Sequence, residues 1–473
     1  MPHPNLLTNP LLEPPTITTT STTSSTTSRL KSIDILRGII MLVMSWDHSR
    51  DFLSQHKVAS HGSERWSGPL STYDNNAAVL FQRWISHFCA PGFFFTMGLG
   101  MYFMATSRMK KYQWTNCTII NHFLLRGFIL LVVGRLVDMA IAPEIAIITA
   151  HNQSLFPNNP HHSSASSSPF HGPQWLAPFL GIFEVMTALG LTMQTVGVLV
   201  PTILYLERIK TSLGQLLSIV FGVISIALST FYILKAQDGD PCGPLCHASN
   251  SNGTVFFPRF AANADTLYEI VLRFLLYPGA FSYGDIIYPL IPWCSLTFFG
   301  FAAGILYKRN SVKAFKLTGI FGVISLLLFL ILRFFGGAKS GNLRGWPRNE
   351  GSSVKWIAFL TVCKYPPSVS YILLTLGGNW CLLYIIERFA SVKADGRIEK
   401  ILLVYGQTPL FFYTIHFWVL GCVGFFVRMF ASGMPIEFVT IPWLIMIVCL
   451  WWPCEWWRRK KQCAQHDSWL KLF

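Results

Sequence analysis

Runs of predominantly apolar residues recur along the chain, near 35–54, 77–105, 119–141, 177–205, 213–234, 285–307, 315–335, 367–387, 400–427 and 436–457. A helix needs about 20 such residues to cross the hydrocarbon core of a bilayer. The pattern therefore predicts an all-α fold, a polytopic transmembrane helical bundle of about 10 spans. Residues 267–278 (LYEIVLRFLLYP) are too short to cross and predict an interfacial or re-entrant helix. The intervals leave no room for a soluble domain, and no internal repeat is visible. Residues 1–28 are rich in Ser, Thr and Pro (TITTTSTTSSTTS) and predict a disordered tail. That tail has neither the basic region nor the apolar stretch of a signal peptide, so the first apolar helix is expected to act as an uncleaved insertion signal. The expected plan is this tail, a membrane domain over 29–457, and a basic cytoplasmic tail over 458–473.

Composition narrows the class. Of 473 residues, 52% are hydrophobic and 12% charged, and mean hydropathy is +0.43. About 25% charged is usual for a soluble domain. A soluble enzyme, a disordered chain and a disulfide scaffold are all excluded by this excess of apolar surface. Net charge is +15, from 37 Lys and Arg against 22 Asp and Glu. No basic stripe carries interleaved aromatics, so nucleic acid is not the expected partner; the lipid bilayer is. With the N-terminus inside, 21 of the 37 basic residues fall in inside segments and 13 outside, with Arg83, Arg126 and Arg135 within spans. The distribution predicts that both termini are cytoplasmic; the basic loop 336–364 is the exception.

Two glycosylation sequons agree with this orientation, Asn152 (Asn-Gln-Ser) and Asn252 (Asn-Gly-Thr), both in outside loops. A third, Asn116, falls inside and is expected to stay bare. Most of the 11 Cys lie in apolar runs and read as packing residues. Cys242 and Cys246, in the polar segment DPCGPLC, form a short-loop disulfide or remain two thiols. The sequons place the chain in a lysosomal, other endomembrane or plasma membrane.

Ionisable residues inside spans are costly and mark functional sites. The first span has the densest set, from RLKSIDILRG to SWDHSRDF. Asp34 and Arg37 share a face at i, i+3. Eleven residues separate Arg37 from His48, which returns to within about 20° of the same face after a rise of about 16 Å. One stripe thus carries an Arg at its inner end and a His at its outer end. The second span adds Arg83 and His87 at i, i+4, at the depth of His48. Together with Asp47, Arg50 and Asp51 they suit general-base chemistry, a His oriented by a carboxylate. No tight ligand spacing such as HExxH is present, and no metal is expected. The ninth span carries Tyr413 and His416 at i, i+3, after a helix-breaking Pro409.

Five blocks occur in order: RLKSIDILRGIIMLVMSWDHSRDF, RWISHFCAPGFFFTMG, YPLIPWCSLTFFGFAAGILY, KYPPSVSYILLTLG and YGQTPLFFYTIHFWVL. They resemble the heparan-alpha-glucosaminide N-acetyltransferase catalytic-domain family, in its branch with a DHxRD signature, over roughly residues 29–460. The resemblance implies a membrane acyltransferase that takes acetyl-CoA from the cytoplasmic side and passes the acetyl group to a sugar amine or hydroxyl on the lumenal side. The chain departs from the family at three places. Asp47 stands where the animal enzyme has Asn, and His87 where it has Asp. Its His-Ala-Ser-Trp-Asn-Gly block has no counterpart here, His61 being the nearest candidate. On this reading His48 is the base and Asp47 its orienter; Asp51, at i+3, is the geometric alternative. His87 is a second base or an acetyl carrier. Arg83, Arg50, Asp51, Tyr413 and His416 contact the acceptor. Arg37, with Asp34, Lys110 and Lys111, faces the CoA phosphates. A second copy of the chain is a candidate partner. A transporter or channel working through intramembrane His and Asp is the alternative function. Glycosylation mapping tests the orientation: glycan is expected at Asn152 and Asn252, and glycan at Asn116 alone reverses it.

Overall fold

The computed structural model describes residues 31–54, 64, 73, 76–155, 182–210, 212–238, 266–281, 284–335, 355–390, 396–431, 433–465, 468 and 470, with side chains left out at 141–155, 234–238, 280, 358 and 390. Asn252, Cys242, Cys246 and His61 lie outside the described residues, as do the tail over 1–28 and the side chain of Asn152.

The helices in chain order are α1 (Lys31–Leu53), α2 (Ala77–Ser86), α3 (Cys89–Tyr112) and α4 (Asn116–Leu155). A short strand β1 (Ile182–Phe183) precedes α5 (Val185–Ile209) and α6 (Leu213–Asp238). Then come α7 (Leu267–Leu275), strands β2 (Gly279–Phe281) and β3 (Gly284–Ile286), α8 (Leu290–Arg309) and α9 (Ser311–Phe335). The last elements are α10 (Lys355–Leu360), α11 (Val369–Ala390), α12 (Arg397–Gln407), α13 (Pro409–Phe430) and α14 (Thr440–Cys463). Among the described residues, nine helical segments are long and apolar enough to cross a membrane, α2–α3 counting as one. The fold is an all-α multi-pass membrane bundle. The charge-laden α1 is not among the nine. The short run near 267–278 is the nine-residue α7. The small sheet, with β3 between β1 and β2, was not legible in the hydropathy.

Helix faces show why a bilayer is required. On α9, Phe321, Ile324, Leu328 and Ile331 are exposed along one stripe. The opposite stripe carries small residues, where Gly322 meets Cys381 and Ser325 meets Gly377 on α11. Small residues let membrane helices approach closely, while the apolar stripe is left to lipid. At the centre lies α8, with 78% of its apolar window buried; α14, at 17%, is peripheral.

Two helix breaks have local causes. Pro91 has no N–H for the carbonyl of His87, four residues earlier, and the second span is interrupted there between α2 and α3. The Tyr371 hydroxyl donates to that freed carbonyl at 2.8 Å. Pro409 likewise separates α12 from α13 at Thr408, as its sequence predicts.

A tight crossing joins α3 and α8. A Cβ on Gly98 would run into the Thr297 carbonyl, and one on Gly300 into the Phe95 carbonyl. Both neighbours are backbone and cannot swing aside. We expect Gly300→Ala to destabilise by about 1–3 kcal/mol or more, as overpacking does, read as a lower melting temperature in detergent. Gly396→Ala, with nothing within 4 Å, should leave melting unchanged.

Candidate functional site

The C-terminal end of α1 and the start of the second span are joined by charges. Arg50 lies one turn after Asp47, with its Nη2 2.8 Å from Asp47 Oδ1 and 2.8 Å from Asp51 Oδ1. From α2, Arg83 Nη1 reaches Asp47 Oδ2 at 2.7 Å. The rest of its guanidinium forks onto Glu64, Nε to Oε1 and Nη2 to Oε2, each at 2.6 Å. One turn beyond Arg83, His87 Nε2 is 2.9 Å from Glu64 Oε1. The Glu64 carbonyl accepts from the N–H groups of Lys364 and Tyr365. Lys364 is itself buried, its ammonium 5.1 Å from the Tyr365 ring centre.

Burial alone would raise the Glu64 carboxyl; Arg83 and then His87 outweigh it and hold the group well below its ordinary range. Lys364 is the opposite case. Burial first, and Arg83 second, bring its ammonium down to about 8.

A second arrangement lies on another face of α1. His48 Nδ1 is 3.0 Å from His416 Nε2, and His416 Nδ1 is 2.9 Å from the Phe412 carbonyl. A carbonyl only accepts, so in the neutral rings His416 carries its proton on Nδ1 and accepts at Nε2. His48 must then donate from Nδ1, which leaves the lone pair on its Nε2. The rings of His48 and His416 lie nearly in one plane, edge to edge, with centroids 5.3 Å apart, and the Phe412 ring runs nearly parallel to His416 at 5.1 Å. His416 is buried and His48 half-buried. Tyr413 stands edge-on to both imidazoles. It also faces Asp138 and Glu184, a hydrogen-bonded acid pair on which Arg135 sits 3.0 Å from Asp138 Oδ2.

At the other end of α1, Arg37 Nη2 donates to the Thr96 carbonyl at 2.6 Å, and Nη1 lies 3.4 Å from Asp34 Oδ1. Asp34 also accepts from Gln407. Arg126 on α4 feels the charge of Arg37, and the described residues give Arg126 no hydrogen bond or ion pair. One turn before it, His122 packs on Trp114, whose other neighbour is the Arg108 guanidinium.

Several expectations need correction. Asp47 does not orient His48: α1 stays helical to Leu53, so adjacent side chains diverge by about 100°. Asp47 serves Arg50 and Arg83 instead, and Asp51 serves Arg50. The partner of His48 is His416, which was expected at the acceptor. Arg83 is committed to two carboxylates rather than to an acceptor or oxyanion. His87 is buried against Glu64 and does not join His48 and His416. Asp34 and Arg37 do pair. Lys110 lines a separate cleft with Tyr102 and Lys308, and Lys111 lies over Tyr112. Glu64, Lys364, Tyr371 and Arg126 were missed. Only Arg126 left a signal, an arginine inside a span.

In comparisons with known proteins, no family model and no curated protein matches this chain.

Glu64→Gln leaves Arg83 buried with half its counter-charge. Removing one partner of a buried pair costs about 3–5 kcal/mol, so loss of monodisperse folded protein is expected. Lys364 supplies a pH signature. Its folded pKa of about 8 lies below the ordinary 10.5, so between these values the unfolded chain holds the proton and the folded one does not. Stability therefore rises with pH across that window and is flat below it. Melting at pH 7.5 and 9.5 should show the rise in the native chain and its absence in Lys364→Met.

Proposed function

We propose that the chain is a membrane acyltransferase that moves an acetyl group from acetyl-CoA to an amine or hydroxyl acceptor, such as a sugar amine, with His48 as general base. The observation that carries this reading is the chain from the Phe412 carbonyl through His416 to His48. It leaves a lone pair on His48 Nε2, the atom that takes a proton in acyl transfer. The acceptor gives its proton to Nε2 as its nitrogen or oxygen attacks the thioester carbonyl. The carbon–sulfur bond breaks, and the departing sulfur takes the proton back from the imidazolium. During that step the His48 Nδ1–H donates to His416, so the cation is solvated inside the bundle without a carboxylate.

With α1 counted as a crossing, ten spans put both termini on the face that carries Lys31, Lys110 and Lys308, read here as cytoplasmic. Acetyl-CoA enters from that face. An arginine within a span and without an anionic partner is costly unless a ligand supplies the charge. Arg126, beside Arg37, is therefore read as a contact of the CoA phosphates, for which the guanidinium fork is suited. The order of the five sequence blocks supports the same chemistry. The sequons support an endomembrane or plasma-membrane location.

Purified protein in nanodiscs should bind acetyl-CoA and release CoA thiol when an amine or hydroxyl acceptor is added. His48→Ala should lose on the order of 10²–10⁴ in rate with acetyl-CoA affinity kept. Arg126→Ala should weaken acetyl-CoA binding by about 10- to 100-fold, the worth of a charged hydrogen bond, with melting unimpaired. Full activity in His48→Ala, or no acetyl-CoA binding by the native protein, sinks the proposal. The second outcome is the one a transporter or channel would give.

A further inference from the structure

On the face that holds the Arg37 end of α1, three helix ends converge around a cavity of about 390 Å³. Lys110 comes from the last turn of α3, Arg208 from α5 and Lys308 from α8. The one carboxylate in its lining, Glu207, is engaged by the Arg309 guanidinium. Three cations therefore share one concavity whose acid is already spent. The Lys308 ammonium lies 5.7 Å from the Tyr102 ring centre, and Lys110 is its charged neighbour.

Basic residues at span ends ordinarily splay outward into water, each alone. Here they point into a shared cleft, where mutual repulsion is relieved by an anion. The rim gives the class of that anion. On the last turns of α5, Tyr205 and Ile209 are 64% and 61% exposed, and Leu216 at the start of α6 is 56% exposed. A positively charged hollow on helices that also expose large apolar side chains close by in sequence matches an amphiphile, with a charged head in the cleft and chains along the helices. We infer that this cleft binds a phospholipid whose headgroup carries a phosphomonoester, about −1.5 to −2 charges per phosphate at neutral pH. Basic pockets between helices at the membrane boundary recognise such headgroups. The site is separate from the His48 relay, and the inference stands whether or not the acyltransferase reading holds.

The test uses the full chain in phosphatidylcholine nanodiscs doped with a phosphoinositide monophosphate, with retained lipid counted by native mass spectrometry. The native protein should retain the phosphoinositide in preference to phosphatidylcholine. Arg208→Gln with Lys308→Gln should reduce that preference on the order of 10- to 30-fold, at about 1 kcal/mol for each charge removed. Acetyl-CoA affinity should not change. Arg208→Lys with Lys308→Arg, which keeps both charges, should restore retention and thereby separate loss of charge from loss of fold. No preference in the native protein, or a preference untouched by the double Gln variant, overturns the inference. So does competition by soluble inositol phosphate as effective as by the intact lipid, which would make the cleft a free-phosphate site. A fall in acetyl-CoA affinity in the double Gln variant also overturns it, since the cleft would then serve the nucleotide.

Discussion

Arg83 is buried within the bundle, and a guanidinium there is tolerated only with counter-charge and a full set of acceptors. Asp47 supplies one oxygen and Glu64 two. Those three contacts fix more than one side chain. They set the C-terminal end of α1 against α2, and they bring residue 64 to a defined place. That place is secured again from behind, because the Glu64 carbonyl takes the N–H groups of Lys364 and Tyr365 ahead of α11. The local charges balance: Asp47, Asp51 and Glu64 against Arg50, Arg83 and Lys364. A neutral cluster of this size avoids the desolvation cost that would fall on any member left alone.

The same stretch of α1 serves a second purpose because a helix turns by about 100° per residue. Asp47 faces α2, while its neighbour His48 faces α13 and meets His416. The first contact is rigid and saturated. The second leaves a nitrogen with a lone pair. A saturated ionic contact and an imidazole with an open nitrogen thus fall on consecutive residues, and the ionic cluster holds still the helix on which the imidazole is carried. The Phe412 ring, nearly parallel to His416, adds a second restraint from an aromatic ring that cannot itself take a proton.

Much of the bundle was legible because lipid enforces a simple code. A segment such as Ser311–Phe335 has to be continuously helical and apolar, and its span was read to within a few residues. The charged motifs on α1 and α2 were equally plain, since Asp47, His48, Arg50, Arg83 and His87 are anomalous in an apolar setting. Pairing was not legible. Glu64 lies in a polar stretch, SHGSERWSG, where an acidic residue is unremarkable, and nothing local says that it will be buried. Lys364 follows a basic loop that looks solvent-exposed. His416 was visible as a residue, but its role depends on His48, 368 positions earlier. The assignment of Asp47 as orienter failed for a local reason: adjacent residues on a continuous helix point about 100° apart, and α1 is helical to Leu53.

The wide separation between the two imidazoles has a consequence for biosynthesis. Asp47, Glu64 and Arg83 all precede α3, so the first two apolar segments can enter the membrane already joined by these three residues, with Lys364 completing the charge balance later. His416 follows His48 by 368 residues. At the usual 5–20 residues per second, that is roughly 20–70 s of translation. Throughout that interval the nascent protein holds a formed electrostatic anchor and an unpartnered histidine. The His48–His416 contact is therefore completed only once α13 is in the membrane, and a product truncated ahead of α13 would carry the anchor and His48 without its partner.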